Sequence, residues 1–274
     1  MKTQPAPGTC SQVLQSRLRP GRYPTVDEAL SPRRNRLLAM CSEEDYARLL
    51  PDVEFVRLTR GDNVFRVGEP QTHLYFITAG IVIRLYEAEE GDSTGFAVTG
   101  CEGEAGDVSF LTGKPLLTQT LVVESGHAYR LKVDVVNSEV VRGSSLAVAL
   151  LRHIQTTITQ MTLDIACARH HAIEQQLCRW FLDCLDRTPR HEFTMTQELL
   201  SHILGVRRES VTAAAGHLKL AGVIDYYRGR LVLRDRAGLE ARVCGCYEVA
   251  RQALSMGHIN DPVGHAARQG LASR

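Results

Sequence analysis

Arg207, Arg208, Glu209 and Ser210 stand in a row at the head of an amphipathic segment, and that row has the chemistry to read a base pair. A guanidinium donates two parallel hydrogen bonds to the O6 and N7 edge of guanine, and a carboxylate accepts from the amino group of cytosine. The surrounding pattern puts the row at the start of a helix. Leu199, Leu200, Ile203 and Leu204 supply the apolar face of a preceding helix, Gly205 a tight corner, and the small residues from Thr212 to Gly216 let the second helix approach a groove closely. Two further guanidinium groups, Arg228 and Arg230, flank Gly229 at the centre of Ile224 to Asp235. That stretch alternates apolar and polar about its glycine, which is the signature of a β-hairpin. A hairpin directly after a helix-turn-helix is a wing, and arginines at its tip are placed for phosphates, contacts that position without specifying. These residues point to sequence-specific binding of double-stranded DNA.

Such a reading head has to be carried by the rest of the chain. Immediately upstream, Ala172 to Arg187 form an amphipathic helix with Leu177, Trp180, Phe181, Cys184 and Leu185 turned inward. Before it, Leu150, Ile154, Ile158, Met161, Ile165 and Ala168 recur in steps of four, four, three, four and three, and charge is almost absent between Arg152 and Asp164. An apolar stripe of that length predicts a self-associating helix, with Leu150, Ile154, Ile158, Met161 and Ile165 as the interface of a homodimer. Two-fold symmetry in the protein calls for a palindromic operator. From Val53 to Val136 the texture is different: short β-branched and aromatic runs (EFVRL, HLYFIT, IVIRLY, LVVES) punctuated by glycine, as in an antiparallel roll or barrel. The fold class is therefore α+β, in five parts. Residues 1–32 are a Pro-, Gly- and Ser-rich disordered leader and 33–142 a β-roll sensor domain. The dimerisation helix is 143–170, the winged helix-turn-helix 171–254 and a disordered tail 255–274. A length of 274 residues is enough for two separately cored domains.

Charge is unevenly spread. Residues 45–140 hold 8 basic and 15 acidic side chains, whereas residues 169–251 hold 13 basic and 10 acidic. DNA repels the first half and attracts the second. There is no long apolar run to span a membrane and no signal-peptide core, so the expected location is cytoplasmic. The eight cysteines are expected as free thiols. Cys244-Gly245-Cys246 is the only close pair; on what reads as the last helix its two members do not share a face, so it is assigned a structural role, with no metal and no cofactor expected. His73 and His127 read as hydrogen-bonded strand residues rather than iron ligands. No P-loop, G-x-S-x-G elbow or H-E-x-x-H is present, and Glu43-Glu44 and Glu89-Glu90 are solvated pairs, so no catalytic site is assigned.

The run L-G-V-R-R-E-S-V-T from Leu204 to Thr212 resembles the recognition segment of the Crp/Fnr superfamily of bacterial transcription regulators. GEPQTHLYFITAGIVIRLY, from Gly68 to Tyr86, is similar to the opening strands of that family's cyclic-nucleotide-binding roll, and the resemblance extends over residues 34–250. It implies base or backbone contacts for Arg208, Glu209 and Ser210, a phosphate contact for Thr196, and DNA-facing positions for Arg207, Thr212, Arg228 and Arg230. It also implies a long dimerisation helix and RNA polymerase as a partner. Two departures matter. A second arginine used by many members is Ala213 here, so the operator should differ from the best-known family site. In the phosphate-binding cassette, which the resemblance places at Cys101 to Thr120, Gly106-Asp107 is similar to a Gly-Glu step, but Leu116-Leu117-Thr118 stand where an Arg-Ser pair is expected. An arginine there binds two phosphate oxygens and keeps its charge when buried. Gly106, Asp107, Leu116, Leu117 and Thr118 thus outline an effector pocket without its anion-holding group, and control by cyclic AMP is not expected. The alternatives left open are a small-molecule effector of other chemistry, a redox signal, or a roll-type interaction protein whose winged helix binds protein.

Overall fold

The computed structural model describes residues 30–88, 93–106, 108–188 and 192–256, so the expected leader and tail fall almost wholly outside it. Two short helices come first, α1 (Arg36–Ala39) and α2 (Glu43–Leu49). The buried Asn35 caps α1: its Oδ1 accepts from the amides of Leu37 and Leu38, while its Nδ2 donates to the carbonyls of Ile77 and Gly103 at 2.9 and 2.6 Å. One side chain thereby both starts a helix and ties it to the sheet below. Ser42 caps α2 through the amide of Asp45, as its sequence position suggests.

The roll consists of β1 (Glu54–Leu58), β2 (Asn63–Phe65), β3 (His73–Glu87), β4 (Ser93–Thr99), β5 (Glu104–Ala105) and β6 (Gln119–Lys132), all antiparallel. The order β1-β6-β3-β4 is extended by β2 on β6 and β5 on β3. Its spine is the long pair β3–β6, which runs from His73 opposite Lys132 to Leu85 opposite Gln119 with register shifts near Ala79 and Ile81. Gly80 sits at that irregularity with φ of +94°, where an added Cβ would lie 2.6 Å from the Glu124 carbonyl oxygen. Only glycine fits a bulge so placed, and the bulge curls the sheet.

Helix α3 (Val133–Arg142) follows β6 directly. The helical part thus begins at Val133 and not after Gly143, where the residue texture changes. Val133, Val135 and Val136 are β-branched and favour strand locally, but burial of Val136 and partial burial of its neighbours against Leu131, Leu146 and Leu150 decides the outcome. Gly143 (φ +69°) ends α3 in a left-handed turn, and Ser144 caps α4 (Ser145–His170), a helix of 26 residues and so about 39 Å long.

The C-terminal part comprises α5 (Ile173–Leu185), β7 (Glu192–Thr194), α6 (Gln197–Leu204), α7 (Arg208–Leu220), the hairpin β8 (Ile224–Tyr227) and β9 (Arg230–Leu233), then α8 (Arg236–Glu240) and α9 (Cys246–Met256). Leu177, Trp180, Phe181, Cys184 and Leu185 of α5 are all buried, as their spacing predicts. Trp180, Phe181 and Phe193 pack with ring centroids 5.9 to 6.2 Å apart. Strand β7, which no sequence signal marked, completes a three-stranded sheet in the order β7-β9-β8. A single apolar cluster runs from Ile81, Ile83 and Leu85 in the roll through α5 and α6 to Leu231 in the wing. The winged helix is therefore seated on the roll rather than strung from it.

Candidate nucleic-acid interface

Helices α6 and α7 meet at Gly205, whose φ of +62° places it in the left-handed region. Its N–H donates to the His202 carbonyl and that of Val206 to the Ser201 carbonyl, which closes the end of α6 and turns the chain sharply. Val211, Ala214, Ala215 and Leu218 of α7 face inward, leaving Arg208, Glu209, Thr212 and Ala213 on the outer face with Arg207 at the N-cap; all five are exposed, and Ser210 is half-buried. Thr212 is more committed than its sequence position suggests. Its hydroxyl lies 2.8 Å from Gln197 Oε1 and 3.0 Å from the Arg208 carbonyl, so it braces α7 against the start of α6. Gln197 itself is a residue that sequence reasoning passed over, since nothing in its local pattern separates a brace from an ordinary first-turn polar residue.

The wing tip is a two-residue turn, Arg228-Gly229, with φ of +49° and +78°. Two positive φ values in succession define the tight turn that suits the twist of a hairpin. The amide of Met195 donates to the Gly229 carbonyl at 2.6 Å, and the hydroxyl of Tyr226 donates to the Met195 carbonyl at 2.6 Å. These two bonds hold the wing beside the N-terminus of α6, where Thr196 caps the helix by accepting from the Leu199 amide. Burial pushes the Tyr226 phenol up to about 12, against the pull of the nearby Arg208 guanidinium, so the head of α7 and the base of the wing share one field. Arg228 stacks over the Tyr227 ring at 5.0 Å, whereas Arg230 is paired with Glu192. Thr196, Arg207, Arg208 and Arg228 thus form one exposed polar and cationic ridge.

Residues 175–242, from α5 to just past α8, match the family described as the Crp-like helix-turn-helix domain. The chain is 22% identical over 203 residues to the CRP-like cAMP-activated global transcriptional regulator of Mycobacterium tuberculosis, covering 72% of this chain and 91% of that protein. In fold it is similar to a Crp/Fnr-family transcriptional regulator from Eubacterium rectale (TM-score 0.62, 12% identity, 75% of this chain and 96% of that one). It is also similar to the c-di-GMP-responsive regulator CLP of Xanthomonas campestris (TM-score 0.57, 14% identity, 70% and 99%). Residues 175–242 thus carry a Crp-like helix-turn-helix domain, and the chain is similar in sequence and in fold to Crp/Fnr-family regulators.

In the segment that the resemblance assigns to the cassette, described residues are packed against the chain itself. Leu116 is buried, exchanging backbone hydrogen bonds with Gly68 at 2.8 Å and Glu69 at 3.1 Å, while Leu117 points out with 74% of its surface exposed. Thr118 is buried, Lys114 is exposed, and Asp107 lies outside the described residues. At Gly106 an added Cβ would lie 2.5 Å from Glu104 Oε2 and 2.6 Å from Gln71 Nε2, so those two polar side chains occupy the space beside it. His73 and His127 are hydrogen-bonded through Nδ1 to Thr72 and Thr78, at 2.9 and 2.6 Å. A cavity of about 660 Å³ opens elsewhere, between β4, α4, α5 and α6, with Phe96, Met161, Ile165 and Trp180 among its walls. Part of its wall is a line of charged side chains, Asp164, Arg179, Asp183 and Arg187. Arg187 Nε donates to Glu102 Oε1 of the roll at 2.5 Å, Arg179 Nη2 lies 2.7 Å from Asp164 of α4, and Asp183 stands between the two arginines. No sequence signal marked this network, because its members lie on three separate segments.

The stripe on α4 divides in two. Leu150 is buried in its own chain against Leu37, Leu38, Leu74 and Phe76, so it leaves the seam assigned to it. One face of the first turns of α4, with Leu146, Ala149 and Leu150, covers the roll, and the opposite face is free. Its most exposed apolar residues are Leu151 (65%), Ile158 (59%) and Ile165 (63%), seven apart, with the half-exposed Ile154 and Met161 between them and Val148 (44%) before them.

Cysteines depart from expectation at two places. Cys101 is disulfide-bonded rather than free. Cys244 and Cys246 lie together with Cys167 and His171, their ligand atoms all within 4.8 Å of one another. The helical-face argument that separated Cys244 from Cys246 does not apply, because α9 begins only at Cys246 and Cys244-Gly245 precede it.

Proposed function

We propose that this chain is a transcription regulator of the Crp/Fnr type that binds a palindromic operator as a homodimer, without control by cyclic AMP. The observation that carries the reading is the exposed row Arg207-Arg208-Glu209 at the head of α7, set beside a wing tip that hydrogen bonds lock to the start of α6. Arg208 and Glu209 read base edges, Ser210 and Thr196 contact backbone, and Arg228 and Arg230 hold phosphates. Thr212 serves as the brace for α7 and touches DNA only at its edge.

Dimerisation is assigned to Leu151, Ile154, Ile158, Met161 and Ile165. Their 3-4 spacing is that of a coiled-coil seam, and a chain that left them in water would forgo the burial that such a stripe offers. In the cassette, Leu116 and Leu117 offer no charge to a cyclic phosphate. The effector, if the chain uses one, is then of other chemistry, and the apolar cavity beside α4 gives it room. RNA polymerase is the partner through which a bound dimer would act on transcription.

Selection of duplexes from a random pool tests the reading. The expected product is an inverted repeat whose half-sites are centred about 34–36 Å apart, one turn of DNA, or a multiple of that. A pool that never enriches, together with salt-independent capture of a protein, would favour the interaction-module alternative.

A further inference from the structure

Cys167 occupies the last turn of α4 and His171 is that helix's C-cap, four residues on. Cys244 lies in the segment between α8 and α9, and Cys246 is the first residue of α9. All four lie outside residues 175–242, the part that matches the helix-turn-helix family, and they bracket it from both ends. In space they converge: Cys167 Sγ is 3.5 Å from Cys244 Sγ, and Cys246 Sγ is 3.7 Å from His171 Nδ1. The two sulfurs are too far apart for a disulfide, whose bond is about 2.05 Å. They are well spaced for something else. A zinc ion bound by thiolates at about 2.3 Å has its ligand atoms roughly 3.8 Å apart along the edges of the tetrahedron. The two separations above are close to that edge and all four atoms lie within 4.8 Å of one another, and three sulfurs with one imidazole are a ligand set that zinc takes in structural sites.

The surroundings fit an ion as well. Cys167 and Cys244 are buried and Cys246 and His171 half-exposed, so the centre is dry on one side and open to entry on the other. The His171 amide donates to the Cys167 carbonyl at 3.1 Å, and Gln176 Nε2 donates to the His171 carbonyl at 2.8 Å, which pins the histidine as it leaves the helix. A zinc ion with three thiolates and a neutral imidazole carries a net charge of −1 by simple count. Buried Arg179 stands near Cys167, where its positive charge would offset that of the loaded site.

We propose that Cys167, His171, Cys244 and Cys246 bind a single zinc ion that staples the end of α4 to the start of α9. The staple closes the chain around the whole winged helix and holds its angle to the dimerisation helix. A cluster of several irons needs its thiolates further apart than one ion does, so the geometry favours the single ion.

The test uses the full chain, purified under reducing conditions. Elemental analysis should find one zinc per chain. Exchange with cobalt should produce the intense visible bands of a tetrahedral thiolate site. Cys246→Ser and His171→Ala should each weaken zinc binding by at least about tenfold, given that loss of an outer-shell partner alone costs 10–100-fold. Cys178→Ser, a buried free thiol outside the group, should retain the metal. Chelation of the wild-type chain should lower its melting temperature, and added zinc should restore it; this arm stands even if a variant does not fold. None of these readouts depends on DNA. A folded chain without metal and without cobalt bands would overturn the proposal. So would zinc retained by both variants, a Cys167–Cys244 disulfide found by mass spectrometry, or iron accompanied by inorganic sulfide.

Discussion

The winged helix and the cassette of the roll are both places where a regulator of this kind meets another molecule, yet their side chains are disposed in opposite ways. At the head of α7 the polar groups face outward, and among the described residues no ion pair engages Arg207, Arg208 or Arg228. At the cassette Leu116 is packed inward, Leu117 is left without charge to offer, and Glu104 and Gln71 fill the space beside Gly106. One surface leaves its charged groups exposed, and the other packs its described side chains against the chain itself. The contrast teaches that shape and binding chemistry are separable in such a roll, because the shape rests on the β3–β6 pairing and the proposed loss of the anion site on a few loop residues.

Several measurements would break or sharpen that contrast. The largest effect should come from the face that both regions share. Ile158 is exposed in the single chain, so Ile158→Glu should fold normally, but in a dimer it would bury an unpaired charge. Sedimentation should find a monomer, or association weakened by several kcal/mol, with a matching loss on an inverted-repeat operator. An unchanged dimer would mean that the stripe on α4 packs against something else.

The cassette comes next. Losing one partner of a buried charged contact costs roughly 2–5 kcal/mol, which would move a micromolar site toward millimolar. Calorimetry should therefore show no saturation by cyclic AMP at micromolar concentration, and operator affinity should be unchanged by the nucleotide. Micromolar saturation would restore the cassette to a working site and erase the contrast.

Within the wing the two arginines should differ. Arg228→Ala should reduce the slope of affinity against salt by about one, similarly on all sequences, as for a lost phosphate contact. Arg230→Ala should change it less, since Glu192 already offsets its charge. Equal slopes for the two variants would argue that the ion pair opens on DNA.

The smallest effect concerns the buried charges between the regions. Burial pushes the Asp183 carboxyl up to about 6, against the pull of Arg187 and Arg179. The folded chain then holds this proton to higher pH than the unfolded one, so stability falls as pH rises from about 4 to about 6. Asp183→Asn should lack that part of the decline when denaturant midpoints are compared across the window. A variant that follows the wild-type curve would place the titration on another group.

What could be read from the sequence followed the range of the interactions. The Gly205 corner, the Arg228-Gly229 hairpin and the inward face of α5 are written within a few residues of one another, and the structure has all three. The start of α3 was hidden because Val133 and Val135 favour strand locally and only contacts with α4 and the roll override that preference. Leu150 and Leu151 are adjacent, and periodicity alone chose the wrong one for the free face; what separates them is the roll beneath the first turns of α4. The meeting of Cys167 and His171 with Cys244 and Cys246 was the least legible of all. More than seventy residues separate the pairs, and nothing short of the fold brings them together.

The central claim is that the head of α7 reads sequence, and it is tested most directly by Arg208→Ala on the selected operator and on a scrambled duplex at one salt concentration. The variant should lose roughly 1–3 kcal/mol on the operator, with its preference flattened at one base position, and bind the scrambled duplex almost as the wild type does. Equal losses on both duplexes would contradict the account and leave Arg208 with a phosphate contact only.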